Sequence, residues 1–298
     1  MHMRPLGQTG FSISAMGYGC GGYWGYDFFN ERTASQLVHM ALDAGVNFLD
    51  TGASYSGGNA EIRLGRILKG VDTSHLLIGT KAGTVLYNGR LLKDYSSTSL
   101  RQQVEASLQR LGLERIPLLQ LHGLPSQGLE EALAELSRLK LQGKVGLIGV
   151  SCDGKALDTA LSLNVLDVVM LTYNILHKQA ARQVKLAYAR GCGILVKSPL
   201  AHTLYSDELF NIRKVTDIWY LLRVLKNYPG KIWEGRKYRF INKLKGWSSN
   251  EVALLYALHE NASCVVTGTT DIAHMAANLQ AFNRELPVEL RAIIDAVK

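Results

Sequence analysis

The feature that most constrains this chain is a local pattern that repeats: an amphipathic helix, a glycine, a short apolar run, then the same again. The first clear copy has Ala34, Leu37, Val38, Ala41 and Leu42 at helical spacing, Gly45 at the turn, and an apolar run ending at Asp50. Similar apolar runs fall at 14–19, 46–50, 76–80, 116–121, 145–150, 165–171, 194–197 and 264–267. Helical patterns lie between them, at about 32–44, 59–69, 97–111, 128–142, 154–163, 178–190, 248–260 and 271–283, with a last amphipathic helix over 287–298. Ser248-x-x-Glu251 reads as a capping box, and Gly112, Gly143 and Gly191 stand where a left-handed C-cap is wanted. Eight strands alternating with eight helices, with no linker between them, predict one α/β domain over 1–298: a closed parallel (β/α)8 TIM barrel.

The charge is informative by its location. The chain has 33 Lys and Arg against 25 Asp and Glu, a net +8. Ten of the cations lie between Arg213 and Lys245 with only Asp217 and Glu234 among them, so the rest of the chain is neutral. The stretch from about 200 to 247 is too long for an ordinary strand-to-helix connection and predicts a basic, partly helical excursion after the seventh strand, with Val215, Ile218, Trp219, Leu222 and Leu225 on one stripe. A single basic segment points to a local anion-facing surface and away from a nucleic-acid partner. No run of about 18 apolar residues predicts a membrane span. The start, Met1-His-Met-Arg-Pro, lacks a basic region followed by an apolar stretch, which makes the cytoplasm the expected location. Cys20, Cys152, Cys192 and Cys264 are far apart and lack metal-ligand spacing, so no metal site is expected and buried thiols are. Nothing in the sequence assigns an oligomeric state.

In a barrel of this kind the C-terminal strand ends converge on one mouth, so the polar residues there are read together. Asp50 ends the second strand, Tyr55 follows in its loop, Lys81 ends the third and His122 ends the fourth. A lysine at the end of an apolar strand needs a carboxylate, and Asp50 on the neighbouring strand is the evident partner. The glycines Gly17, Gly19, Gly21 and Gly22 do not have dinucleotide-fingerprint spacing, so a Rossmann reading is rejected.

These residues lie in segments that resemble the aldo-keto reductase family: Leu6-Gly-Gln-Thr-Gly10, Phe48-Leu-Asp-Thr-Gly-Ala-Ser-Tyr55, Gly79-Thr-Lys81, Leu119-Gln-Leu-His122, Gly149-Val-Ser151, Ser198-Pro-Leu200, and Gly268-Thr269 with Asn278. The resemblance implies a (β/α)8 barrel that interconverts carbonyls and alcohols with a nicotinamide cofactor, and an Asp, Tyr, Lys, His tetrad at Asp50, Tyr55, Lys81 and His122. In those roles Tyr55 donates the proton, Lys81 stabilises its phenolate, Asp50 orients Lys81, and His122 hydrogen-bonds the substrate oxygen. The resemblance assigns cofactor contacts to Gly21, Ser151, Lys197, Ser198, Leu200, Gly268, Thr269, Thr270, His274 and Asn278, with NADP(H) expected over NAD(H).

Four positions depart from the family pattern: Cys152 replaces an Asn, Met170 a carboxamide-binding Gln, Lys197 a stacking aromatic, and His274 the Arg that often clamps the 2′-phosphate. Lys197 is open to pairing with a phosphate, binding an anionic substrate, or laying its stem along the ring. The basic segment, with Trp219, Tyr228, Trp233, Tyr238 and Phe240, is read either as a solvated excursion or as a wall facing the pyrophosphate or an acidic substrate. The expected partner is a small-molecule carbonyl or alcohol. The alternative is a regulatory subunit that keeps the barrel but turns over little.

Overall fold

A computed structural model describes residues 1–206, 218, 222 and 230–297. Twelve strands are found among these residues. β1 (Met3–Pro5) and β2 (Ser12–Ser14) pair antiparallel as a short hairpin, and β6 (Thr84–Tyr87) and β7 (Arg90–Lys93) form another. The others are β3 (Met16–Gly19), β4 (Phe48–Asp50), β5 (Leu77–Ala82), β8 (Ile116–His122), β9 (Val145–Ser151), β10 (Val168–Thr172), β11 (Gly193–Lys197) and β12 (Cys264–Thr267). They close into a parallel barrel in the order β10-β11-β12-β3-β4-β5-β8-β9, as the helix-and-strand repeat predicts. Helices α1 (Glu31–Asp43), α2 (Asn59–Leu68), α3 (Ser97–Leu111), α4 (Leu129–Leu141), α5 (Gly154–Ser162) and α6 (Ala181–Ala189) alternate with the strands. They are followed by α7 (Lys231–Arg236), α8 (Ser249–Ala257), α9 (Ile272–Ala281) and α10 (Val288–Ala296). The Ser248/Glu251 capping box forms, and Gly112, Gly143 and Gly191 have the positive φ of a left-handed turn.

The alternation of side chains along each strand separates two cores. Leu118 points into the barrel with Phe48, Leu77, Val168, Met170, Leu195, Cys264 and Val266, while Leu119 and Leu121 point outward into the layer beneath the helices. The interior extends to Leu6 and Ile13 of the first hairpin, which closes the N-terminal end of the barrel. The same alternation puts Gln120 and His122 on the inward face above Leu118, so the C-terminal end is polar where the N-terminal end is apolar. All four cysteines are buried.

Several boundaries differ from the expected ones. The run expected at 76–80 extends through Ala82, so Lys81 is held inside a strand with its backbone paired to Gln120. The run at 14–19 divides at Ala15 into β2 and β3, because Ser12–Ser14 pairs back on Met3–Pro5. The run at 165–171 moves to Val168–Thr172, and the helix expected at 178–190 begins as a 3-10 turn, Lys178–Ala180. The β6–β7 hairpin was not expected, although Asn88-Gly89, both at positive φ, is a strong two-residue hairpin turn. Most of the stripe at 215–225 lies outside the described residues. The described part of the basic excursion contains α7 and a 3-10 turn, Arg239–Lys243.

Two glycines make room for the largest residue in the barrel interior. A Cβ at Gly17 would stand 2.5 Å from Phe48 Cδ1, and one at Gly79 would stand 3.0 Å from Phe48 Cε2. Gly17→Ala is expected to overpack the interior and cost about 1–3 kcal/mol. Thermal or denaturant melts check this, and adding Phe48→Leu should restore most of the loss.

Candidate active site

The mouth is built around Lys81. Its ammonium donates to Asp50 Oδ1 at 2.7 Å, Asp50 Oδ2 at 2.6 Å and the Thr51 carbonyl at 2.7 Å, with both charged residues nearly buried at 3% and 6% exposure. Asp50 reaches this position because β4 and β5 are neighbours with Asp50 opposite Gly79, which leaves no side chain between it and Lys81. Burial alone would lower the lysine pKa, but the Asp50 carboxylate outweighs it and holds Lys81 above its ordinary value, while burial raises the Asp50 carboxyl against the pull of the ammonium.

Tyr55 opens a 3-10 turn, Tyr55–Gly58, in which Ser56 and Gly57 have left-handed backbone. Lys81 Nζ lies 5.0 Å from the centre of its ring, and the His122 ring meets it edge-on with centroids 5.7 Å apart. The ring is held between two glycines. A Cβ at Gly21 would come within 2.6 Å of it and one at Gly52 within 3.2 Å. Gly21, assigned to the cofactor on resemblance, is therefore first a seat for Tyr55. The Gly21 loop is itself fixed by α2, where the buried Arg63 pairs with Glu31 at 2.7 Å and donates to the carbonyls of Trp24 and Phe29. Ser56 Oγ donates to the Gly22 carbonyl at 2.9 Å and joins this loop to the Tyr55 turn.

His122 ends β8 with its carbonyl accepting from Lys93 Nζ at 2.6 Å and Tyr95 OH at 2.8 Å. Its Nδ1 is buried without a hydrogen-bond partner. Burial first, and then the cations Lys81, Lys93 and Lys197, push the imidazole down to about 4, so it is neutral at physiological pH. As a neutral ring it can donate or accept one hydrogen bond at a substrate oxygen but carries no proton to release as an imidazolium.

The other half of the mouth is formed by β9 to β12. Ser151 ends β9 opposite His122, and Lys197 ends β11 with Nζ 3.4 Å from Ser151 Oγ. The open question about Lys197 is answered in part by Asp153, whose carboxylate lies 3.1 Å from Nζ and also accepts from the Thr172 N–H at 2.6 Å. Met170 is buried in the apolar interior and offers no polar group.

Ser198 begins a turn in which Ser198, Ala201, His202 and Thr203 all have φ between 45° and 56°. Such backbone costs a non-glycine residue of order 1 kcal/mol or more, and clusters at ligand sites. Asn174, buried beneath the turn, donates to the Ser198 carbonyl at 2.8 Å. Leu200 lies in the same turn. A cavity of about 280 Å³ beside it is lined by Asp153, Ser198, His202 and Lys231 among others. Lys231 pairs with Glu234 at 2.6 Å, and Arg236 stacks over Trp233 at 4.1 Å, so of these cations only Lys231 borders the cavity.

Gly268, Thr269 and Thr270 follow β12 and lead into α9, where Asp271 caps the helix by accepting from the His274 N–H at 3.0 Å. His274 is exposed on the first turn, Asn278 is buried one turn later, and Thr269 O accepts from Tyr18 OH at 2.9 Å. A Cβ at Gly268 would meet nothing closer than the Gly19 carbonyl at 3.4 Å, leaving a smooth floor between β12 and β3.

The structure thus brings the four tetrad residues together and spreads the assigned cofactor residues around the remaining strands. Sequence reasoning missed Thr51, Lys93, Tyr95, Asp153, Asn174 and Gln120. Gln120, fully buried and set beside Asp50, was legible as the inward residue two before His122. The others enter through backbone or loop contacts that leave no spacing in the sequence.

Comparisons with known proteins agree with this geometry. The family model described as "Aldo/keto reductase family" matches residues 15–298. The chain is 32% identical over 230 residues to an NADH-specific methylglyoxal reductase of Escherichia coli, covering 70% of each protein. It is 26% identical to an L-galactose dehydrogenase of Arabidopsis thaliana, covering 100% of this chain and 96% of that protein. The solved holo form of the aldo-keto reductase AKR11C1 from Bacillus halodurans superposes with a TM-score of 0.85 at 25% identity, over 100% of this chain and 96% of that one.

The electrostatics of His122 can be checked directly. Its NMR titration midpoint is expected near 4, with stability that is present above the unfolded-state value of about 6.5 and falls as pH drops from there towards 4. Lys93→Met removes one repelling cation and should move the midpoint upward, whereas an unchanged midpoint would show that Lys93 exerts no field on the ring.

Proposed function

The chain belongs to the aldo/keto reductase family, and from that premise we propose that it transfers hydride between a nicotinamide cofactor and a small-molecule carbonyl or alcohol, with Tyr55 as proton donor in the reducing direction. The single observation that carries this reading is the position of Tyr55, between a buried Lys81–Asp50 ion pair and a neutral His122. A bound nicotinamide would supply the hydride. The protein's task is then to hold the carbonyl oxygen and deliver a proton to it. His122 fixes the oxygen by one hydrogen bond, and Tyr55 donates as negative charge develops. The phenolate left behind faces the ammonium of Lys81, which Asp50 keeps charged and in place.

The residues present suit a dinucleotide. Ser151 would hold the carboxamide, without help from the apolar Met170. The Ser198–Thr203 turn would take the pyrophosphate, and the Gly268–Thr270 turn with the start of α9 would take the adenosine end. With Lys197 paired to Asp153, an anionic substituent on the substrate is not required. The regulatory-subunit alternative is disfavoured by the intact tetrad.

The choice of cofactor is read differently from the sequence expectation of NADP(H). Asp271 places a carboxylate at the α9 N-terminus, and residues 268–278 contain no Lys or Arg to meet a 2′-phosphate. That arrangement favours NAD(H), the cofactor in the name of the Escherichia coli relative.

Tyr55→Phe is expected to lower kcat by about 100-fold or more while cofactor affinity stays within about twofold. Steady-state rates and fluorescence titration check this, and full activity in the variant would remove Tyr55 from the mechanism. In the same assays KM for NADH should lie below that for NADPH, and the reverse order would restore the NADP(H) expectation.

A further inference from the structure

The β6–β7 hairpin projects from the end of β5, one residue beyond Ala82, and apart from Lys93 its residues have no role in the proton delivery described above. Directly opposed residues of an antiparallel pair share a face. The register pairs Thr84 with Lys93 and Leu86 with Leu91, which puts these four on one side and Val85, Leu92, Tyr87 and Arg90 on the other. Two independent contacts show which way the first face is turned. Lys93 Nζ donates to Thr84 Oγ1 at 2.8 Å and to the His122 carbonyl at 2.6 Å. Leu86 Cδ2 lies 3.5 Å from where a Cβ on Gly57 would stand, two residues past Tyr55. The face is therefore anchored to both sides of the proposed proton-delivery site. Leu86 and Leu91 remain 52% and 61% exposed.

We propose that Leu86 and Leu91 form the receptor for an apolar portion of the substrate, so that the preferred substrate is an aldehyde or ketone with an extended hydrocarbon chain rather than a small polar dicarbonyl or a sugar. This rests on the carbonyl-reductase reading given above. A hairpin rises about 3.4 Å per residue, so the leucine pair, two residues beyond the Lys93 anchor, stands roughly 7 Å further out. Hydrocarbon extending from a carbonyl held between Tyr55 and His122 would run along that face. Each methylene that leaves water for the leucines is then expected to raise kcat/KM, up to about fourfold for full burial.

The experiment measures kcat/KM for straight-chain aldehydes from propanal to octanal, and for methylglyoxal and galactose, in wild type and in L86N/L91N. Both side chains are largely exposed, so the variant is expected to keep its melting temperature. The proposal expects a rise of about two- to fourfold per methylene once the chain reaches the pair, octanal exceeding methylglyoxal and galactose, and flattening of the rise in the variant. A flat series in wild type, a series equally steep in both proteins, or preference for methylglyoxal or the sugar overturns the proposal and leaves the carbonyl-reductase reading standing. An unchanged series with altered sedimentation of the variant also overturns it, and identifies the face as a protein contact. No turnover of any carbonyl with NADH or NADPH overturns the reading on which the proposal rests, and the proposal with it.

Discussion

The ion pair between Asp50 and Lys81 is the interaction on which the mouth of this barrel depends. Two opposite charges inside a protein are tolerable only when each offsets the desolvation of the other, and removing one partner from such a pair costs about 3–5 kcal/mol. The Thr51 carbonyl also accepts from the ammonium, so Lys81 is tied to the end of β4 while it still acts on the Tyr55 hydroxyl. This fixes the floor against which Tyr55 stands. Gly21 and Gly52 then confine its ring from the two flanks, and the Arg63 anchor holds the Gly21 loop in place. Positioning of the phenol is thus distributed over β3, β4, β5 and α2, although only one of its immediate supports is charged.

The mouth divides into two sectors with different physics. On the side of β4 and β5 the two charges are buried, paired and held at strand ends, which suits groups that must stay in place during a reaction. On the side of β9 to β12, Ser151 and Lys197 end strands while the remaining groups lie on turns. The Ser198–Thr203 turn contains four left-handed residues and no glycine, and is held from below by Asn174. A backbone of that kind persists only where its surroundings dictate it. Lys197 lies at the boundary, where its ammonium reaches both Asp153 and Ser151 Oγ.

Much of the fold was legible because periodicity and punctuation are local properties. The helical spacing from Ala34 to Leu42, the closing Gly45 and the Ser248 capping box each have a physical meaning that needs no tertiary context. Four of the site residues were legible for a related reason, since a charged or aromatic group at the end of an apolar strand is costly without a partner. Where boundaries moved, long-range pairing was responsible. Ser12–Ser14 left the first barrel strand because Met3–Pro5 offered a hairpin partner, and the third strand ran on past Thr80 because β8 continued to pair with it.

The sequence by itself determined that the chain is a series of parallel strands alternating with helices and that Asp50, Lys81 and His122 stand at the ends of successive strands, with Tyr55 in the loop after Asp50; closure of the barrel is shown by the pairing of its strands. Only the tertiary structure decided that Gly21 serves Tyr55, that Lys197 meets Asp153, that Lys93 and Tyr95 hold the end of β8, and that a hairpin turns two leucines towards the site. Those relations depend on how far each loop travels after leaving its strand and on which backbone carbonyl it meets. Neither quantity is encoded by any spacing along the chain.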